Sequence, residues 1–103
     1  MVPQAALALS YNALGGKEAE LFQWCQENFY PQLRRLPGCV GIRNYEVLMV
    51  EPGQGGHLLW MEVDDANRVS QLLTSPEFVH AMEDFETKAS DVVMRTYQRR
   101  SSE

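Results

Sequence analysis

The chain has 103 residues, 45% of them hydrophobic, and a net charge of −5 with a pI near 5.0. That length predicts one domain over 1–103 with a lean but real core, and the apolar share is in the ordinary globular range. The acidic balance argues against a nucleic-acid or anionic-membrane partner, because phosphate binding needs clustered Lys and Arg.

The first predicted element is a strand over about Ala5–Ala13, with Leu7, Leu9 and Tyr11 on one face and Ala6, Ala8, Ser10 and Asn12 on the other. The apolar run that opens it lacks a basic flank, so it reads as a strand and not as a signal peptide. Gly15-Gly16 ends it. A helix is expected over about residues 17–36. At 100° per residue, Leu21, Phe22, Cys25, Phe29, Leu33 and Leu36 share a sector of about 120° that faces the core. Trp24 and Tyr30 lie outside that sector, one on each flank. Pro31 falls on the polar side, where its missing N–H and its ring are expected to bend the helix. Leu36-Pro37-Gly38 ends it.

A second strand is predicted over about residues 40–50, then a type II turn at Glu51-Pro52-Gly53 and a loop through Gly55-Gly56. The third strand is expected over about His57–Val63. Asp64 or Asp65 is expected to cap the next helix. Its two apolar stripes, Val69-Leu72-Leu73 and Phe78-Met82-Phe85-Ala89, would point about 160° apart on one continuous helix. The helix must therefore break, and Ser75-Pro76 supplies an N-cap followed by a proline suited to a first turn. The fourth strand is expected over about residues 91–98. The order β-α-β-β-α-β predicts an α+β, ferredoxin-like sandwich: a four-stranded antiparallel sheet with two helices on one face.

The strands are apolar on both faces. Leu58 and Trp60 oppose Leu59, Met61 and Val63. Val92 and Met94 oppose Val93 and Tyr97, and Val47 and Met49 oppose Leu48 and Val50. An antiparallel sheet with one wet face should alternate apolar with polar. The helices cover one face only, so a second copy of the chain is expected to cover the other.

Leu36-Pro37-Gly38-Cys39-Val40-Gly41 after the first helix, and Leu73-Thr74-Ser75-Pro76-Glu77-Phe78 at the break in the second, together with length and element order, resemble the dimeric α+β barrel superfamily. The resemblance covers nearly the whole chain. It implies a homodimer in which two sheets face each other as a barrel. Members of that superfamily include cofactor-independent monooxygenases, haem-degrading monooxygenases, polyketide cyclases and lactone isomerases, and the fold does not choose among them. The haem-degrading pattern needs Asn, Trp and His. Asn12 matches the first, but Leu72 and Met82 occupy the other two places, so haem ligation is rejected. The plant-type cyclase pattern needs a His where Phe78 stands.

Four residues are candidate ligand contacts. Asn12 could orient a substrate carbonyl, though a turn role is its commonest use near a strand end. Tyr97 could donate a hydrogen bond. Trp60 could stack on a ligand, or serve a core or dimer barrel. Arg43, like Arg95, is a charge inside an apolar strand. It must either pair with a carboxylate such as Glu46 or Glu62, or anchor an acidic or enolic ligand. His80 shares a polar helix face with Glu77, Glu83 and Asp84 and reads as a surface residue. His57, beside the glycine-rich loop, reads as exposed. No metal-ligand spacing and no Ser–His–Asp order is present, so neither a metal nor another cofactor is expected. Two cysteines are too few for a disulfide scaffold and read as free, buried thiols, with a reducing cytoplasm as the expected compartment. Two functions remain. One is a cofactor-independent monooxygenase or isomerase acting on an aromatic or polyketide-like molecule. The other is a non-catalytic homodimeric module that binds a hydrophobic small molecule or stabilises a partner. An RNA-binding ferredoxin-like domain is excluded on charge and on the composition of strand three.

Overall fold

Four strands and two broken helices follow one another in the expected order in a computed structural model that describes residues 3–100. The strands are β1 (Ala5–Ala13), β2 (Cys39–Glu46), β3 (His57–Val63) and β4 (Ala89–Gln98). They form one antiparallel sheet in the order β2-β3-β1-β4. The helical segments all pack on one face of it. Leu7, Leu9 and Tyr11 of β1 and Leu59, Met61 and Val63 of β3 point into that core, each at most 2% exposed. Burying one such side chain contributes roughly 1.5–3 kcal/mol.

The first helix is interrupted where its sequence carries Pro31. It runs as α1 (Glu18–Trp24), a π-helical turn over Cys25–Phe29, and α2 (Tyr30–Arg34). Pro31 has no N–H for the carbonyl of Glu27, and its ring would collide with that carbonyl in a regular helix. The wide turn resolves the conflict, and the Tyr30 N–H donates to the Cys25 carbonyl five residues back. The extra residue also shifts the helical phase. Tyr30, expected on the flank, is buried beside Phe29.

The second helix breaks at the expected place, into α3 (Arg68–Thr74) and α4 (Pro76–Glu86). Ser75 between them is extended, at φ −67 and ψ 141. Its hydroxyl accepts a hydrogen bond from the Phe78 N–H at 3.3 Å. Leu72 from one piece and Phe78, Met82 and Phe85 from the other reach the same core. Asp65 opens the region with an Asx-type contact, accepting from the Asn67 N–H at 2.9 Å.

The second strand is shorter than its apolar run. It ends at Glu46, and Val47 keeps one bond, its N–H donating to the Gly56 carbonyl at 2.8 Å. Beyond that pair, the segment facing residues 48–50 is the 51–55 turn and not a strand. Leu48 and Met49 stand 92% and 88% exposed in the resulting loop. The expected turn is present, with Gly53 at φ 80 and the Gln54 N–H donating to the Glu51 carbonyl at 3.0 Å. At the other edge the β1–β4 ladder slips between Ser10 and Asn12. Asp91 absorbs the bulge in a left-handed conformation, φ 53, which Asp tolerates better than most residues.

Candidate functional site

The cleft that opens between the first helix and the sheet has a volume of about 280 Å³. Its wall is aromatic: Tyr11 from β1, Phe22 from α1, Tyr30 from the π-helical turn's end and His57 from the start of β3. The imidazole of His57 lies between two of these rings. Its centroid is 5.5 Å from that of Tyr11 and 5.1 Å from that of Phe22, the latter edge-on at 88°. Tyr30 donates its hydroxyl hydrogen to Asn44 Oδ1 at 2.9 Å. Glu18 and Glu46 stand at the rim.

Both phenols stay protonated well beyond neutrality. Burial pushes the Tyr11 hydroxyl up to about 12, helped by the nearby Cys25 thiol. Burial raises Tyr30 further still, with Tyr11 and Cys25 adding to it. The Cys25 thiol is itself pushed up to about 11 by burial. A buried hydroxyl that holds its proton is a hydrogen-bond donor, so the cleft sets neutral donors beside the His57 imidazole. His57, expected to be exposed, is partly buried and lines the cleft. Tyr30 and Asn44 had no signal of their own, although Pro31 marked the turn that brings Tyr30 inward.

The four residues expected to contact a ligand lie elsewhere. By strand register, Arg43, Trp60, Ala8 and Arg95 form one row across the sheet, on the face away from the helices. Tyr97 belongs to the next row and stacks on Trp60, with centroids 5.4 Å apart. The two rings close over β1, where Ala6 and Ala8 are only 4% and 6% exposed. Arg43 Nη2 pairs with Glu62 Oε1 at 3.3 Å. Asn12 stands apart from all three. Its Oδ1 accepts from the Gly56 N–H at 2.9 Å and its Nδ2 donates to Asp91 Oδ2 at 3.0 Å, which ties the 47–56 loop and the β4 bulge to β1. The structure thus brings Arg43, Trp60 and Tyr97 together on the open sheet face, and none of the four lines the cleft. Alternation of side chains across the pleat is the reason: residues 43, 60 and 97 are out of phase with the core-facing residues of their strands.

His80 is a surface side chain, 73% exposed, with Nε2 3.8 Å from Asp84 Oδ2. Cys25 is buried and Cys39 half-buried, and both are free. Trp24 stacks on Phe29 and carries Lys88 Nζ 4.9 Å above its ring. Among the described residues no three His, Cys, Asp or Glu side chains converge to hold a metal ion, and no helix is long and apolar enough to cross a membrane.

No protein-family model matches the chain, and no curated protein matches it. Solved structures match over nearly its full length. An ethyl tert-butyl ether (EthD) family protein from Bacillus halodurans is 16% identical, with a TM-score of 0.73 over 94% of this chain and 99% of that one. SnoaB, a cofactor-independent oxygenase from Streptomyces nogalater, is 13% identical, with a TM-score of 0.70 over 98% and 97%. A dimeric ferredoxin-like protein of unknown function from Thermobifida fusca is 8% identical, with a TM-score of 0.69 over 94% and 92%. At these identities the likeness establishes the fold alone: the chain has the ferredoxin-like α+β fold that these structures share.

Proposed function

We propose that the protein is a homodimer that binds an aromatic or polyketide-like molecule in the helix–sheet cleft and starts a cofactor-independent oxygenation or isomerisation there. The observation that carries this reading is the placement of His57 between the Tyr11 and Phe22 rings, in a cleft whose buried phenols are neutral donors. His57 removes a proton from a carbon next to a carbonyl. The C–H electron pair enters the enolate, and a phenol of the wall donates a hydrogen bond to the developing oxyanion. In an isomerisation His57 returns the proton to another carbon. In an oxygenation O2 is the co-substrate: the CH2 group becomes a carbonyl, one oxygen atom enters the product and the other leaves as water. The similarity to a cofactor-independent oxygenase supports the second route.

Arg43, Trp60 and Tyr97 serve the sheet face in this reading, as dimer contacts. The test follows two signals with quinols and polyketide mimics: oxygen uptake, and loss of deuterium from the enolisable carbon. His57→Gln is expected to lower both by about 10²–10⁴-fold without loss of secondary structure. Neither signal and no binding across the panel would sink the proposal. Binding without either signal would favour the non-catalytic module.

A further inference from the structure

We propose that Glu46 is a positioning residue for His57: its carboxylate accepts one N–H of the imidazole and leaves the other ring nitrogen bare toward the cleft. The inference rests on the proton-abstracting role given to His57 above. Strand register carries it. Glu46 of β2 and Tyr11 of β1 stand directly opposite His57 of β3, so the three form one row across adjacent strands. All three line the cleft.

The row faces the helices. Asn44, two residues before Glu46, meets the Tyr30 hydroxyl at 2.9 Å, and alternation puts Glu46 on the same side of the sheet. The pairing is also the close kind. The Val47 N–H donates to the Gly56 carbonyl, opposite it by continuation of the register, so Val47 and Gly56 form a hydrogen-bonded pair. Glu46 and His57, one step along, are then a non-hydrogen-bonded pair, in which Cα atoms are about 4.5 Å apart and side chains are closest. The backbone below is fixed. Gly55 approaches the Tyr11 backbone so closely that no Cβ fits, and Asn12 holds the Gly56 N–H at 2.9 Å. His57 therefore enters its strand in one place.

A neutral imidazole has one N–H, and either nitrogen can carry it. It serves as a base only if the nitrogen that meets the substrate is the bare one. Tyr11 and Phe22 meet the ring of His57 ring to ring, at 32° and 88°, and the Tyr30 hydrogen goes to Asn44. Glu18 and Gln26 face the cleft from the first helix. Glu46 alone is a carboxylate set beside His57 by strand pairing. A carboxylate accepts and does not donate, so it selects the tautomer whose N–H points to β2. Glu46 stays ionised throughout. The proton from the substrate carbon goes to the bare nitrogen, and the adjacent negative charge stabilises the imidazolium that results. Among the described residues no ion pair joins the two side chains. Glu46 is exposed, and rotation of such a side chain within nanoseconds closes the bond without any backbone change.

The experiment reads the ring nitrogens of His57 by 15N NMR at about pH 9, where an ordinary imidazole is neutral. His80→Gln is the background, because it leaves one histidine in the chain. One N–H nitrogen and one bare nitrogen, well separated in shift, are expected. Glu46→Ala should bring the two signals together as the tautomers mix, and Glu46→Gln, which keeps one acceptor, should fall between. Glu18→Ala should leave the separation as it is. In the deuterium-loss assay Glu46→Ala should slow exchange about 10–100-fold, the range for one hydrogen bond to a charged group. It should add nothing to the loss already caused by His57→Gln. Mixed tautomers in the parent overturn the proposal, as do unchanged signals in Glu46→Ala or a collapse caused by Glu18→Ala instead. Full deuterium loss in Glu46→Ala also overturns it. Signals that respond to Glu46 in a parent that exchanges deuterium on no compound uphold the pairing and overturn the base role of His57, so the two readings fail separately.

Discussion

A methyl group at position 55 has nowhere to go. Built on the Gly55 backbone, it overlaps the nitrogen and carbonyl oxygen of Tyr11, and neither can move without breaking the β1 ladder. Gly55→Ala is therefore expected to destabilise the protein by about 2–4 kcal/mol, measured as a fall in the urea midpoint. Gly15→Ala is the control. Nothing lies within 4 Å of a methyl there, and its midpoint should hold within about 0.5 kcal/mol. The sequence shows Gly55 only as part of a flexible loop, because a close backbone approach is a tertiary fact. Asn12 shows the same limit. Its position at a strand end left a turn role and a ligand role open, and only the structure shows both ends of its amide engaged, with Gly56 and Asp91. For the cleft, Tyr11 and Phe22 could be placed on core-facing sides from periodicity alone. His57 was legible in the same way, because alternation puts it in phase with Leu59, Met61 and Val63, but a strand start beside a glycine-rich loop reads as exposed.

Helical phase made the break in the second helix legible. Two apolar stripes about 160° apart cannot face one sheet, and Ser75-Pro76 is the one place where the chain supplies a cap and a start together. The structure bears this out in the extended Ser75 backbone and its bond to the Phe78 N–H. Ser75→Ala should cost about 1 kcal/mol, and Ser75→Asp should restore most of it, since both original and replacement oxygens accept from the helix start. Equal stability of Ser75→Ala and the parent in urea unfolding would remove the cap from the account. The first helix was less legible. A proline on the polar side predicted a bend, but not a π-helical turn, and so not the inward rotation of Tyr30. The second strand was overread for a plain reason. Val47, Leu48, Met49 and Val50 have strand composition, and composition does not report whether a partner strand continues opposite them.

At the scale of the whole molecule, the sheet has two apolar faces and only one set of helices. On the open face Trp60 stacks on Tyr97, and Leu58 and Val93 lie beside them, with Val93 41% exposed. Large exposed apolar patches on a sheet favour pairing with another surface. In the homodimer proposed above, a second copy supplies one of matching shape by a two-fold axis, which is the commonest closed arrangement. A stable interface of this kind buries about 1,200–2,000 Å² in total. Its centre should hold the aromatic anchors, because energetic hot spots gather where water is most fully excluded. Trp60→Glu places a charge there and is expected to weaken the dimer at least about 30-fold, the equivalent of a 2 kcal/mol hot spot. Val93→Lys, at a more exposed position of the same face, should weaken it less and keeps the test intact if the first variant folds poorly. Sedimentation equilibrium reads both against circular dichroism, which should show the strands and helices retained, because the core formed with the helices is on the other side of the sheet. A parent protein that stays monomeric and fully folded at micromolar concentration would mean that the open face is solvated as it stands. The stacked Trp60 and Tyr97 over Ala6 and Ala8 would then be a self-sufficient cover, and the two-sided strands would need no second sheet.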